Sequence, residues 1–109
     1  MRIQMVSSEE IRHEKALKRI LNYHGEEAQI DMMIEECSEL IQAICKYNRK
    51  VPSCATNAEI EILLDNVREE IVDVQIMLDQ MKLVFGYDYE LEEMKSKRTL
   101  ELIESEGQK

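Results

Sequence analysis

One proline and three glycines are all the turn-forming backbone in this 109-residue chain. A sheet protein needs a turn every few residues, and those turns draw on Gly, Pro and Asn. Long uninterrupted helices are therefore expected and a strand-rich fold is excluded. Tryptophan is absent, and four tyrosines and one phenylalanine make up the aromatic residues. Positive charge is also scarce: 14 Lys and Arg stand against 23 Asp and Glu, a net charge of −9. That balance excludes binding to a nucleic-acid backbone through bulk charge, and equally to an anionic membrane surface. The three cysteines, Cys37, Cys45 and Cys54, show no CxxC spacing. An odd count without a disulfide framework fits reduced thiols in a cytosol, and Cys37 and Cys45 fit small core positions of a helix. No apolar run reaches membrane-spanning length, and the start "MRIQMVSSEE" lacks the apolar stretch of a secretory signal. The expectation is a cytoplasmic protein.

Hydrophobic residues make up 44% of the chain, enough for one core, and the length suits a single domain over residues 1–109. Ser7 followed by Glu10 fits a capping box and opens a helix to about residue 24, with Gly25 as its stop. A second helix follows to about Tyr47. "VPSCATNA" is the loop-like stretch. Thr56 and Glu59 form a second capping box, opening a third helix to about Val84. Gly86 closes that one. Asp88 can cap a fourth helix, fraying toward "ESEGQK". Short connections between helices predict antiparallel neighbours in an all-α bundle of about four helices.

At about 100° per residue, Ile30, Met33, Ile34, Cys37, Leu40, Ile41 and Ile44 form one broad apolar stripe on the second helix. Glu35, Glu36 and Glu39 lie roughly opposite, the usual mark of a solvated face. Yet Met32, Glu36, Glu39 and Ala43 share a line, with Lys46 and Lys50 continuing that side, as on a face that is partly covered. On the third helix the stripe is Leu63, Val67, Ile71, Val74, Met77, Leu78 and Met81. Glu70 falls inside it, between Val67 and Val74, and Asp73 sits at its edge. A lone carboxylate on a core face can protonate or find a salt bridge; two of them, with more on another helix, point to a shared cation. Glu36 with Glu39, and Glu70 with Asp73, are each three apart and so share a helix face. Across an antiparallel pair they can converge, and four carboxylates suit a hard divalent cation such as Mg²⁺.

"EECSE", residues 35–39, reads as EExxE, and "EIVD", residues 70–73, reads as ExxD. In that order on consecutive helices they resemble the MazG-type all-α nucleoside triphosphate pyrophosphohydrolase family, over about residues 17–98. The resemblance implies Mg²⁺-dependent cleavage of a (d)NTP between the α and β phosphates, to a monophosphate and pyrophosphate, as in nucleotide-pool house-cleaning; Mn²⁺ can stand in for Mg²⁺. It makes Glu36, Glu39, Glu70 and Asp73 the metal ligands, and gives Glu35 a role in orienting water or holding a further metal. Lys46 and Lys50, together with Lys95, Lys97 and Arg98 of the fourth helix, are the basic residues available to phosphates. The Asn that often accompanies the last-helix lysine in that family is not found here. Tyr47 is the preferred aromatic for stacking on a base.

The third helix also carries a narrower stripe of Val72, Ile76 and Leu83. That stripe, and a chain too short to wall off a nucleotide pocket alone, predict a homodimer or homotetramer. Two other readings compete. A carboxylate-bridged di-iron bundle needs ExxH twice, and "EIRH" at residues 10–13 supplies it once. An acidic helical interaction module without enzymatic activity would leave every Glu in water, which the position of Glu70 opposes.

Overall fold

The computed structural model describes residues 7–107. It contains four α-helices and no strand among them: α1 Ser8–His24, α2 Glu26–Lys50, α3 Asn57–Phe85 and α4 Tyr89–Gly107. A single 3₁₀ turn, Val51–Ser53, follows α2. No helix among the described residues is long and apolar enough to cross a membrane.

The helix boundaries follow local chemistry. Both expected capping boxes form, Ser7 with Glu10 and Thr56 with Glu59. Asp88 accepts from the Leu91 N–H at 2.9 Å and opens α4. α1 and α3 stop at Gly25 and Gly86, whose φ of 89° and 81° lie where side chains beyond Gly are strained. α2 runs three residues past the expected end, and α4 continues regularly to Gly107.

α2 and α3 are antiparallel and form most of the core. Their facing seams repeat every three or four residues: Met33, Glu36, Leu40, Ala43 and Tyr47 on α2 meet Leu63, Val67, Glu70, Val74, Met77 and Met81 on α3, all buried or half-buried. The register is pinned at one end by a buried amide pair. Gln29 Nε2 donates to Gln80 Oε1 at 2.6 Å, and Gln80 is only 1% exposed. Near the middle Ala43, with one methyl, is buried in the seam. α1 packs beside this hairpin through Leu17 and Leu21, and His13 reaches Asp79 of α3 at 3.4 Å.

Three expectations are corrected. Only part of the broad apolar stripe of α2 belongs to the core: Met33 and Leu40 are half-buried in the seam, whereas Ile34 is 66% exposed, and Ile41 and Ile44 are exposed with it. On α3, Ile71 and Leu78 likewise lie on the surface, and Cys45 is exposed rather than a core residue. Finally, the chain is all-α with four helices as expected, but α4 lies off the core formed by the other three. No residue of α4 is buried, and the radius of gyration of 18.5 Å exceeds the roughly 13 Å of a compact chain this long. At the corner where α4 departs, Lys82 Nζ sits 4.3 Å from the Tyr87 ring centre, and Tyr87 packs edge-on against Tyr89.

Candidate metal centre

Residues on the two helices of the hairpin bring the acids together. Glu36 faces α3 from the α2 seam, and Glu70 faces α2 from the α3 seam. Asp73 lies one turn beyond Glu70. One carboxylate oxygen each from Glu36, Glu70 and Asp73 can be chosen so that all lie within 4.8 Å of one another. Glu39 is one turn on from Glu36 and lines a groove of about 230 Å³ with Glu70, Gln42, Ala43, Lys46 and Asn66. All four acids are half-buried.

Among the described residues no basic side chain pairs with them. Among the described residues the ion pairs are His13–Asp79, Lys18–Glu14 and Arg68 with Glu61 and Asp65. A salt bridge to Glu70 is thus not what holds that carboxylate on the core side. Glu36 Oε2 and Glu70 Oε2 are both buried with no hydrogen-bond partner. An ionised oxygen in that position is costly unless a cation meets it. The titration follows the same logic. Burial, and then the like charge of Glu39 and Asp73, push the carboxyls of both Glu36 and Glu70 above their ordinary value. The donor set is made of carboxylates alone, which suits a hard divalent cation. Neither histidine joins it: His13 is engaged with Asp79, and His24 ends α1 beside Tyr23. The ligand set of a di-iron bundle is therefore not assembled.

The basic candidates divide. Lys46 borders the carboxylate groove and also a wider hollow of about 440 Å³, which it lines with Lys50, Ser53, Cys54, Glu59, Ile62 and Leu63. Lys95, Lys97 and Arg98 lie exposed on α4 and line neither. Glu35 is exposed and is not one of the three converging acids. Tyr47 is half-buried on the seam side of α2. Gln42 and Asn66 were not singled out from the sequence, although the signal was present: Gln42 follows Glu39 by three residues and Asn66 precedes Glu70 by four, the helical neighbours of two acids already identified. Comparison with protein-family models, with curated proteins and with solved structures finds no match for this chain.

Proposed function

We propose that this chain is a Mg²⁺-dependent nucleoside triphosphate pyrophosphohydrolase, of the MazG-like kind that its EExxE and ExxD motifs resemble. The observation that carries the reading is the pair of buried, partnerless carboxylate oxygens of Glu36 and Glu70, set in an all-carboxylate cluster beside a groove edged by Lys46. Glu36, Glu70 and Asp73, with Glu39 beside them, would hold the cation, and Mn²⁺ suits the same oxygen donors. When bound, the ion supplies positive charge for the phosphate oxygens to share.

The chain's own residues do the rest. Lys46 stands between the acids and the wider hollow, placed to hold the triphosphate along the groove, and Lys50 extends that contact. Ile62 and Leu63 offer an apolar wall to the nucleoside. Glu35, on the turn next to the cluster, orients the attacking water. Attack at the α phosphorus breaks its bond to the bridging oxygen of the β phosphate, and pyrophosphate leaves. This is chemistry of positioning and charge, for which a rigid two-helix frame is suited.

The test is a panel of canonical and modified (d)NTPs with Mg²⁺, assayed for pyrophosphate. Turnover should be lost on Glu39→Gln or Asp73→Asn, by more than the roughly 100-fold that outer-shell metal partners cost. Release of inorganic phosphate and a nucleoside diphosphate would refute cleavage between the α and β phosphates.

A further inference from the structure

The hollow of about 440 Å³ at the end of the α2–α3 hairpin is lined, apart from Lys46 and Lys50, by polar groups that can only accept hydrogen bonds. Those groups are Ser53, Cys54 and Glu59. Ser53 Oγ donates its proton to the Lys50 carbonyl at 3.0 Å, and Cys54 Sγ turns to the same carbonyl at 3.3 Å. Both side chains have lone pairs left and no proton to give. The main chain there is committed as well. The Cys54 N–H donates to the Val51 carbonyl at 3.1 Å. The Ala55 and Thr56 N–H groups both donate to Glu59 Oε2, at 2.6 and 3.2 Å, and the N–H of Glu59 itself donates to Thr56 Oγ1 at 3.3 Å. The two bonds to Oε2 occupy that oxygen and hold the carboxylate in place. Glu59 Oε1 accepts from none of the described residues, and the residue is exposed.

The helix sets this oxygen in line with the carboxylate site. Glu59, Leu63, Asn66 and Glu70 step by four, three and four residues along one face of α3. Asn66 and Glu70 line the carboxylate groove, Leu63 and Glu59 line the hollow, and Lys46 borders both. The axial rise from Glu59 to Glu70 is about 16 Å. With phosphates at the acids and the lysines, and the nucleoside against Ile62 and Leu63, the edge of the base comes to Glu59.

Resting on the function proposed above, we infer that Glu59 selects the base: the hollow takes nucleotides whose base carries an exocyclic amino group, as cytosine and adenine do, and rejects the keto bases uracil and hypoxanthine. An amino group brings the donors that this lining lacks, one for Glu59 Oε1 and one for a lone pair of Ser53. A carbonyl in the same place sets acceptor against acceptor beside a negative charge, which is a repulsive element and not merely a missing bond. Lys46 and Lys50 are the side-chain donors of the hollow, and the triphosphate engages them. The discrimination thus falls between nucleotides related by a single deamination.

Two such pairs, dCTP against dUTP and dATP against dITP, test it by pyrophosphate release with Mg²⁺. kcat/KM should favour the amino member of each pair by about tenfold or more, the scale of one good contact to a base edge. Glu59→Gln is the decisive variant. Its side-chain oxygen can still accept from Ala55 and Thr56, so the cap is kept, while an NH₂ donor replaces Oε1. The preference should vanish or reverse toward dUTP and dITP, with the melting temperature little changed. Glu59→Ala loses the cap as well; it should melt lower and lose the preference without reversing it. Binding of the α,β-imido analogues of dCTP and dUTP, which resist cleavage at that position, should give the same ratio in Kd and the same response to Glu59→Gln. Equal turnover of both members of each pair, or a wild-type preference kept by Glu59→Gln, would overturn the inference and leave the activity standing. Pyrophosphate from none of the four nucleotides would overturn the activity, and the base selection with it.

Discussion

Glu36 and Glu70 each keep one carboxylate oxygen out of water with nothing to bond it, and that fixes how the metal-free protein should respond to pH. Burial first, and Glu39 second, raise both carboxyls above the ordinary 4.5. Between 4.5 and the raised values the folded chain holds more protons than the unfolded one, so these two groups lower stability as pH rises through that window and weigh fully above it. Glu70→Gln removes the charge and keeps the shape. At neutral pH without metal it should melt above wild type, and the gap should close in acid. With Mg²⁺ the order should reverse, because only wild type gains from the cation. Melting curves of the two proteins with Mg²⁺ and with chelator check this; a variant melting below wild type in chelator at neutral pH would refute the unpaired charge. Of the two residues, Glu70 was legible in the sequence, since it interrupts an apolar stripe. Glu36 was legible as the helical neighbour of Glu39 on a partly covered face, and not as a seam position, because its helix has a second, more apolar stripe that drew the core assignment away from it.

At the scale of elements, what could be read was what neighbouring residues decide. Capping boxes at Ser7 and Thr56, the Asp88 cap and the stops at Gly25 and Gly86 involve groups within a few positions of one another, and all of them form. Which stripe of α2 meets α3 is different. Met33, Leu40, Ala43 and Tyr47 share their seam with Gln29 and Glu36, and hydropathy alone ranks it below the isoleucine flank. Contacts across the seam decide the matter: Gln29 finds Gln80, and Ala43 fills little space between the two backbones. Neither helix contains that information by itself. The amide pair gives a prediction with a sign. Gln80→Ala strands the buried amide of Gln29 and should cost about 1–3 kcal/mol before any cavity is counted, whereas replacing both glutamines by Met removes donor and acceptor together and should be near neutral. Urea unfolding of the single and double variants measures the difference. If both cost the same, the hydrogen bond does not set the register.

At the scale of the whole molecule, the acids and the three basic candidates of α4 occupy separate places. Glu36, Glu39, Glu70 and Asp73 sit midway along the hairpin, while Lys95, Lys97 and Arg98 lie on a helix with no buried residue, in a chain whose radius of gyration is 18.5 Å. Motif order in the sequence brings both groups forward as site residues, because it says nothing about the direction in which α4 leaves the corner at Gly86. On the function proposed above, the cations available to a triphosphate within one chain are Lys46 and Lys50, which line the hollow that adjoins the carboxylate groove. A hydrogen bond to a charged group contributes about 1.5–3 kcal/mol, which corresponds to roughly 10–150-fold in an equilibrium constant. Lys46→Ala should therefore raise KM for a nucleoside triphosphate by about tenfold or more, and Lys50→Ala in the same direction. Replacing Lys95, Lys97 and Arg98 together by Ala should change KM by less than about threefold, the scale of exposed charges acting through solvent. Steady-state pyrophosphate release, measured on the three variants at one ionic strength, compares them directly. A triple variant more impaired than Lys46→Ala would mean that α4 reaches the phosphates, and since it does not do so within its own chain, those cations would have to come from a neighbouring copy.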